Sequence, residues 1–392
     1  MNFYSSRDYS IDLLNRFLKD KIFKYDADRN FDYESEENSA VSKLSPYISH
    51  GILKETEVLR RVLANSKISR KFIQEIFWRI YWKGWLEGKE QVWNDFLHYV
   101  KNSNRFKEID YDTYKNALSS KTNIAPFDNW VTTLVEKGYL HNHTRMWFAS
   151  IWIHYLGLPW QLGAKFFYEN LLDADPASNT LSWRWVAGLQ TKGKKYIASE
   201  KNINMFTHNK FKGFKLPELR NIPLKDEYVI ENSINYSRYP ETKKDKALIV
   251  FENNMYSKLL EDAKEYKIII FINCRNEIFK LSSMVRNFKE GLRRDFIENM
   301  KKKSLKLYEI SLPKEEEQLS SILKSEKIEK VVYDYITVGI EKDIFTDFSK
   351  KKYNFKNIEN VLDDFYQAAW KFTGKGFFKF KEKIPYLLDK FL

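Results

Sequence analysis

Within Leu171–Gly188, reading LLDADPASNTLSWRWVAG, two aspartates, an asparagine and two tryptophans fall in one short segment. Asp173 and Asp175 are two apart, Asn179 follows, and Trp183 and Trp185 close the stretch. A carboxylate buried beside a heterocycle accepts a hydrogen bond from a ring N–H. An amide can donate or accept at a ring nitrogen whose protonation changes with redox state. The segment therefore suits a buried cofactor. Two carboxylates with no His or Cys among them make a poor metal site, and none is expected. The same residues also read as a loop between two helices, with Asp as cap and Trp as core.

The pattern D-x-D-x-A-x-N-x-x-x-W-x-W-x-A-G is preceded by HNHTRM at 141–146 and LPWQLG at 158–163. Three ordered blocks at these separations are more specific than a lone short motif. Together they resemble the flavin-binding core of the DNA photolyase and cryptochrome family. The resemblance implies FAD as cofactor, with Asp173, Asp175, Asn179, Asn142 and Arg145 around it. Arg145 would pair with Asp173, and Asn179 would face flavin N5, where asparagine tilts the reading towards repair. Trp183 and Trp160 fall on the inner two positions of the family's electron-transfer chain. The outermost tryptophan is missing, its place falling near Phe106 and Lys107. Trp185 falls on the lesion-pocket wall.

Other blocks extend the resemblance. YDADRN, with Tyr25 and Arg29 four apart, leads to VSKLSPYISHG at 41–51. Small hydroxyl residues before a helix are suited to holding phosphate. In the family such a block contacts the dinucleotide phosphates, which carries over to Tyr25, Ser42, Lys43, Leu44 and Ser45; Val41 stands where threonine is usual. In FIQEIFWRIYWKGW at 72–85, Glu75 and Arg79 share a helix face, as a surface ion pair would. By resemblance Glu75 and Trp78 line the substrate pocket, where a carboxyl can hydrogen-bond a pyrimidine edge and an indole can stack on a base. Asn142 and Met146 favour cyclobutane dimers over (6-4) photoproducts. His143 replaces an arginine that many cyclobutane-dimer enzymes use on the lesion. Lys192, Lys194 and Lys195 follow in an altered segment and could touch phosphate or form a solvated turn.

Composition limits the alternatives. The 392-residue chain is long enough for about two cores. Its formal net charge of +13 favours a polyanionic partner such as nucleic acid, although a basic surface also serves solubility; the resemblance implies damaged DNA. One cysteine, Cys274, excludes an internal disulfide framework and a four-cysteine iron–sulfur cluster. No signal pattern or long apolar run is present, so a cytoplasmic monomer with no membrane partner is expected.

The positioning elements follow from periodicity. Residues 9–24 carry Leu13, Leu14, Phe17, Leu18 and Ile22 at helical spacing, with Ser10 available as cap, and the first half continues helical. Residues 1–207 are read as a helical FAD-binding domain and 208–245, with Pro217, Pro223 and Pro240, as linker or wrap. In 246–392, the runs at 246–254, 266–273, 305–311 and 330–337 alternate with helical patterns such as 279–302. This predicts a parallel α/β domain. The family carries an α/β antenna domain before its helical domain, so this one reads as that domain permuted to follow it. Its antenna chromophore is unidentified, and no glycine-rich phosphate loop supports a nicotinamide or hydrolysed nucleotide. The resemblance implies a lyase driven by blue light that repairs cyclobutane pyrimidine dimers through reduced FAD. A cryptochrome-like receptor without repair activity is the alternative, and a DNA-binding protein with a relic flavin pocket a third reading.

Overall fold

The computed structural model describes residues 3–33, 37–103, 109–191, 194–220, 233–303, 305–351 and 357–392. The expected place of the missing tryptophan, Phe106 and Lys107, lies outside these residues, as does Lys192.

The first helix runs Arg7–Asp20, not 9–24, and buries Leu14 and Phe17. Ser6 rather than Ser10 is its cap, accepting from Tyr9 N, while Ser10 lies inside and donates to the Arg7 carbonyl at 2.6 Å. An N-cap needs extended backbone ahead of the first turn, and Ser6 has it. Two helices form the centre of the helical half. Arg70–Glu87, capped by Ser69, buries residues on most of its circumference, including Ile76, Phe77, Ile80 and Tyr81. Pro176–Ala187 packs against it. That second helix has plain start and stop signals: Asp175 caps it, Pro176 opens it, and Gly188 ends it at φ 80°, a left-handed conformation that glycine adopts without Cβ strain. Asn142–Ser150 and Trp160–Asn170 complete the surroundings of the site.

The second half is a five-stranded parallel sheet: β1 Lys246–Phe251, β2 Ile268–Cys274, β3 Leu307–Leu312, β4 Lys330–Asp334 and β5 Asn357–Val361. Four strands overlap the expected runs, β2 and β3 each ending one residue later; β5 was not foreseen. Their order is β3-β2-β1-β4-β5, a doubly wound arrangement in which Ala247 pairs with both Ile268 and Val331. β1 is buried throughout, as a strand covered on both faces must be. After β5 the chain leaves the sheet. Helices Asp364–Trp370 and Phe377–Lys381 return to pack on Arg70–Glu87.

Gly84 admits this return, because a Cβ there would collide with the Trp370 ring. Buried polar contacts fix the two halves together. Glu87 accepts from the Tyr335 hydroxyl at 2.8 Å and from Val338 N. Glu55 takes the Lys83 ammonium at 2.8 Å and the Tyr366 hydroxyl at 2.6 Å. Burial alone would raise the Glu55 carboxyl, yet Lys83 and Arg79 hold it at about 2. No helix among the described residues is long and apolar enough to cross a membrane.

Candidate functional site

Where Arg70–Glu87 faces Pro176–Ala187, a cavity of about 480 Å³ opens, within the size range of small-molecule sites. Its wall collects residues from five separate stretches of sequence. Tyr25 and Arg29 stand at one side, with Ser42, Lys43, Leu44 and Ser45 beside them. Glu75, Trp78 and Arg79 come from one helix, Asn142, Arg145 and Met146 from another, and Asp173, Asp175, Asn179, Trp183 and Trp185 from the stretch with which the chemistry began.

The charges are arranged in pairs. Arg145 grips Asp173 through its two terminal guanidinium nitrogens, at 3.0 and 2.9 Å. Burial of Asp173 acts to raise its carboxyl, but Arg145, Ser45 and Arg79 outweigh it and hold it below the usual carboxylate range. Such a pair survives burial because each charge is hydrogen-bonded by the other. Asp175 does two jobs. One carboxylate oxygen accepts Ser178 N at 2.9 Å as the helix cap, and the other accepts Arg79 at 3.0 Å. Arg79 therefore pairs across to Asp175, not with Glu75 along its own helix. Glu75 is raised by burial, which Arg29 and Lys71 oppose, so its neutral form is favoured relative to a free glutamate.

Several polar atoms at the wall have no protein partner. Arg79 Nε, Ser178 Oγ and Trp183 Nε1 are buried without a hydrogen bond. Asn179 donates its amide to the Ala164 carbonyl at 2.8 Å, which fixes the amide's orientation and leaves its oxygen with no protein donor among the described residues. Lys43 holds φ at +55°, a left-handed conformation costly for a side chain with a Cβ and of the kind that clusters at ligand clamps. Unsatisfied donors, an anchored ion pair and an apolar floor suit a polar heterocycle bearing phosphates, so the residues present fit a flavin dinucleotide.

Two expected residues stand elsewhere. His143 points away from the cavity: its Nδ1 meets the Asn30 carbonyl at 3.0 Å, its Nε2 the Tyr196 hydroxyl at 3.4 Å, and its ring packs on Trp147. Trp160 packs on Phe96, with the Arg184 guanidinium 5.8 Å from its ring, and does not line the cavity. Sequence reasoning missed Tyr139, a half-buried wall residue whose ring lies 5.2 Å from the Arg145 guanidinium. Only its position two residues ahead of the HNHTRM block signalled it.

The family model for the FAD-binding domain of DNA photolyase matches residues 72–268. The chain belongs to the DNA photolyase and cryptochrome family, and the matched residues include Glu75, Asn142, Arg145, Asp173 and Asn179 of the cavity wall. A deoxyribodipyrimidine photo-lyase of Alkalihalophilus pseudofirmus is 26% identical over 245 residues, which are 57% of this chain and 47% of that protein. One of Agrobacterium fabrum is 32% identical over 189 residues, 46% of this chain and 37% of its own length. Among solved structures, a class III photolyase from Agrobacterium tumefaciens aligns with a TM-score of 0.44 and 27% identity, covering 51% of this chain and 42% of that one. The chain thus spans under half the length of these relatives. Cryptochromes are also among its relatives.

Proposed function

We propose that this protein repairs cyclobutane pyrimidine dimers in DNA in a light-dependent reaction. The observation that carries the reading is the convergence, on one cavity, of a flavin-type cradle and a set of groups suited to a base pair: Glu75, Trp78, Asn142, Met146 and Trp185. Bound and reduced, FAD supplies the photochemical electron transfer; the protein supplies position and electrostatics.

In this reading Tyr25 and Ser42 to Ser45 hold the phosphates. Arg145, Asp173, Asp175 and Asn179 hold the ring system, with the Asp173 charge already neutralised by Arg145. Trp78 and Trp185 bracket a flipped-out dimer and stack on it, and Glu75 in its neutral form donates a hydrogen bond to a pyrimidine carbonyl. A dimer leaves the duplex more cheaply than an intact base pair, which contributes selectivity. Lys194 and Lys195, both exposed, add sequence-independent phosphate contacts. Trp160 and Trp183 were expected to relay electrons, and Trp183 alone of the two stands at the cavity wall.

The test is recovery of ultraviolet absorbance in damaged oligothymidylate, with chemically reduced protein under blue light and a dark control. Light-dependent recovery is expected. A protein that binds reduced FAD yet restores nothing leaves the receptor reading, which the turn of His143 away from the cavity favours.

A further inference from the structure

Trp183 at the cavity wall touches a second buried indole that the sequence did not single out. The Trp152 ring lies 6.1 Å from Trp183 in a near-perpendicular contact of 83°. Gly163 makes this approach available: a Cβ there would collide with the Trp183 ring and come 3.0 Å from Trp152 Nε1. The space a side chain would take is where the two indoles meet. Beyond Trp152, the Tyr114 ring follows at 5.8 Å and 89°, on the helix Tyr111–Leu118. Trp152 is fully buried, whereas Tyr114 is partly exposed. Trp152 sits in a five-residue π-helical turn, Ile151–Tyr155, a geometry that recurs at functional sites.

We propose that Trp183, Trp152 and Tyr114 form a redox ladder that carries electrons from the protein surface to the FAD cavity. The proposal rests on the FAD reading of that cavity, but not on repair. Each ring meets the next edge-on, from Trp183 at the wall to the partly exposed Tyr114. Their hydrogen bonding sets a direction. Trp152 Nε1 donates to the Pro159 carbonyl at 2.9 Å, which stabilises a positive charge on that indole and draws the hole outward from Trp183. Trp160 is the poorer exit. Its ring partner is Phe96, and phenyl is much harder to oxidise than indole or phenol. The Arg184 cation beside it also opposes a second positive charge.

The electrons balance as follows. Illuminated oxidised flavin is the acceptor. Trp183 gives up one electron and recovers one from Trp152, which recovers one from Tyr114. Tyr114 releases its hydroxyl proton to water and is left as a neutral radical. A thiol in solution returns one electron and one proton to it.

The experiment uses the full chain with FAD bound, illuminated under anaerobic conditions with and without dithiothreitol, and reads radicals by electron paramagnetic resonance. A tyrosyl signal is expected in the parent protein and its loss in Tyr114→Phe. In Trp152→Phe both that signal and thiol-dependent flavin bleaching should be lost, at unchanged FAD content. Trp160→Phe should keep the signal. A tyrosyl signal that persists in Tyr114→Phe, or its loss in Trp160→Phe with Trp152→Phe intact, overturns the ladder. Repair assayed with dithionite-reduced protein bypasses the ladder, so failure of that assay and failure of this one remain distinct.

Discussion

Phe377 lies flat against Trp78, with ring centroids 3.5 Å apart and planes within 10° of parallel. Phe377 is buried and does not line the cavity, whereas Trp78 does. The phenyl ring therefore backs the indole and fixes the plane it presents. Tyr81 and Phe380 box Phe377 from the sides. A segment from the far end of the chain thus sets the geometry of a proposed base-stacking surface.

Phe377→Leu keeps most of the buried volume but removes the flat support. Damaged oligonucleotide should bind several-fold more weakly, since a base–indole stack is worth ~1–3 kcal/mol and depends on orientation. FAD content should stay unchanged. Lesion affinity equal to the parent's would show that Trp78 holds its plane without Phe377.

The Arg145–Asp173 pair predicts an asymmetric result. Arg145→Ala leaves the Asp173 carboxylate buried with its main partner gone, a loss of about 3–5 kcal/mol for such pairs. Asp173→Asn removes the charge that Arg145 neutralises but keeps a hydrogen-bonding group. Both variants should purify with less flavin, and Arg145→Ala should unfold at clearly lower denaturant concentration than Asp173→Asn. Equal midpoints would mean that Ser45 and Arg79 suffice to hold Asp173.

Much of this site is readable from sequence because cap and ligand chemistry coincide. Asp175 is a helix cap and a cavity wall at once, and the D-x-D-x-A-x-N spacing places Asp173 and Asn179 beside it. The Phe377 contact was not readable, since period and composition say only that a phenylalanine is buried, never against what. Trp152 was hidden for the same reason, inside an apolar helical run. β5 escaped because Asn357–Val361 is an edge strand of mixed polarity, lacking the continuous β-branched run that marks β1 and β2. His143 stands by motif position where many relatives have a lesion-contacting arginine, yet the Asn30 carbonyl and the Trp147 ring hold it off the cavity wall.

Two buried histidines make stability pH-dependent. Burial lowers His50 from 6.5 to about 4, its Nε2 lying against the Leu172 carbonyl, and lowers His141 likewise to about 4. Between pH 6.5 and 4 the unfolded chain binds protons that the folded chain refuses. The stabilisation from neutral histidine is thus complete above 6.5 and falls as pH drops, by ~1.4 kcal/mol per unit for each group. Carboxyls raised by burial, such as Glu87 and Glu341, pull in the opposite direction. Comparing the parent with His50→Gln cancels them. Urea midpoints of the two at pH 7 and pH 5 should converge on acidification, and parallel curves would show that His50 is protonated when folded.

Glu75 gives the most direct test of lesion recognition. Its carboxyl is raised by burial against the pull of Arg29 and Lys71, and the proposed role needs the protonated form as donor. As pH rises through that raised value the donor is lost and a charge faces the pyrimidine carbonyl instead. Affinity for damaged oligonucleotide should therefore fall with rising pH in the parent. Glu75→Gln keeps an N–H donor and cannot ionise, so its affinity should stay flat over the same range. Glu75→Ala should also be flat but weaker by about 1 kcal/mol, the net worth of one hydrogen bond. The pattern separates donation from mere filling of space, because a packing role would make glutamine and glutamate alike at every pH.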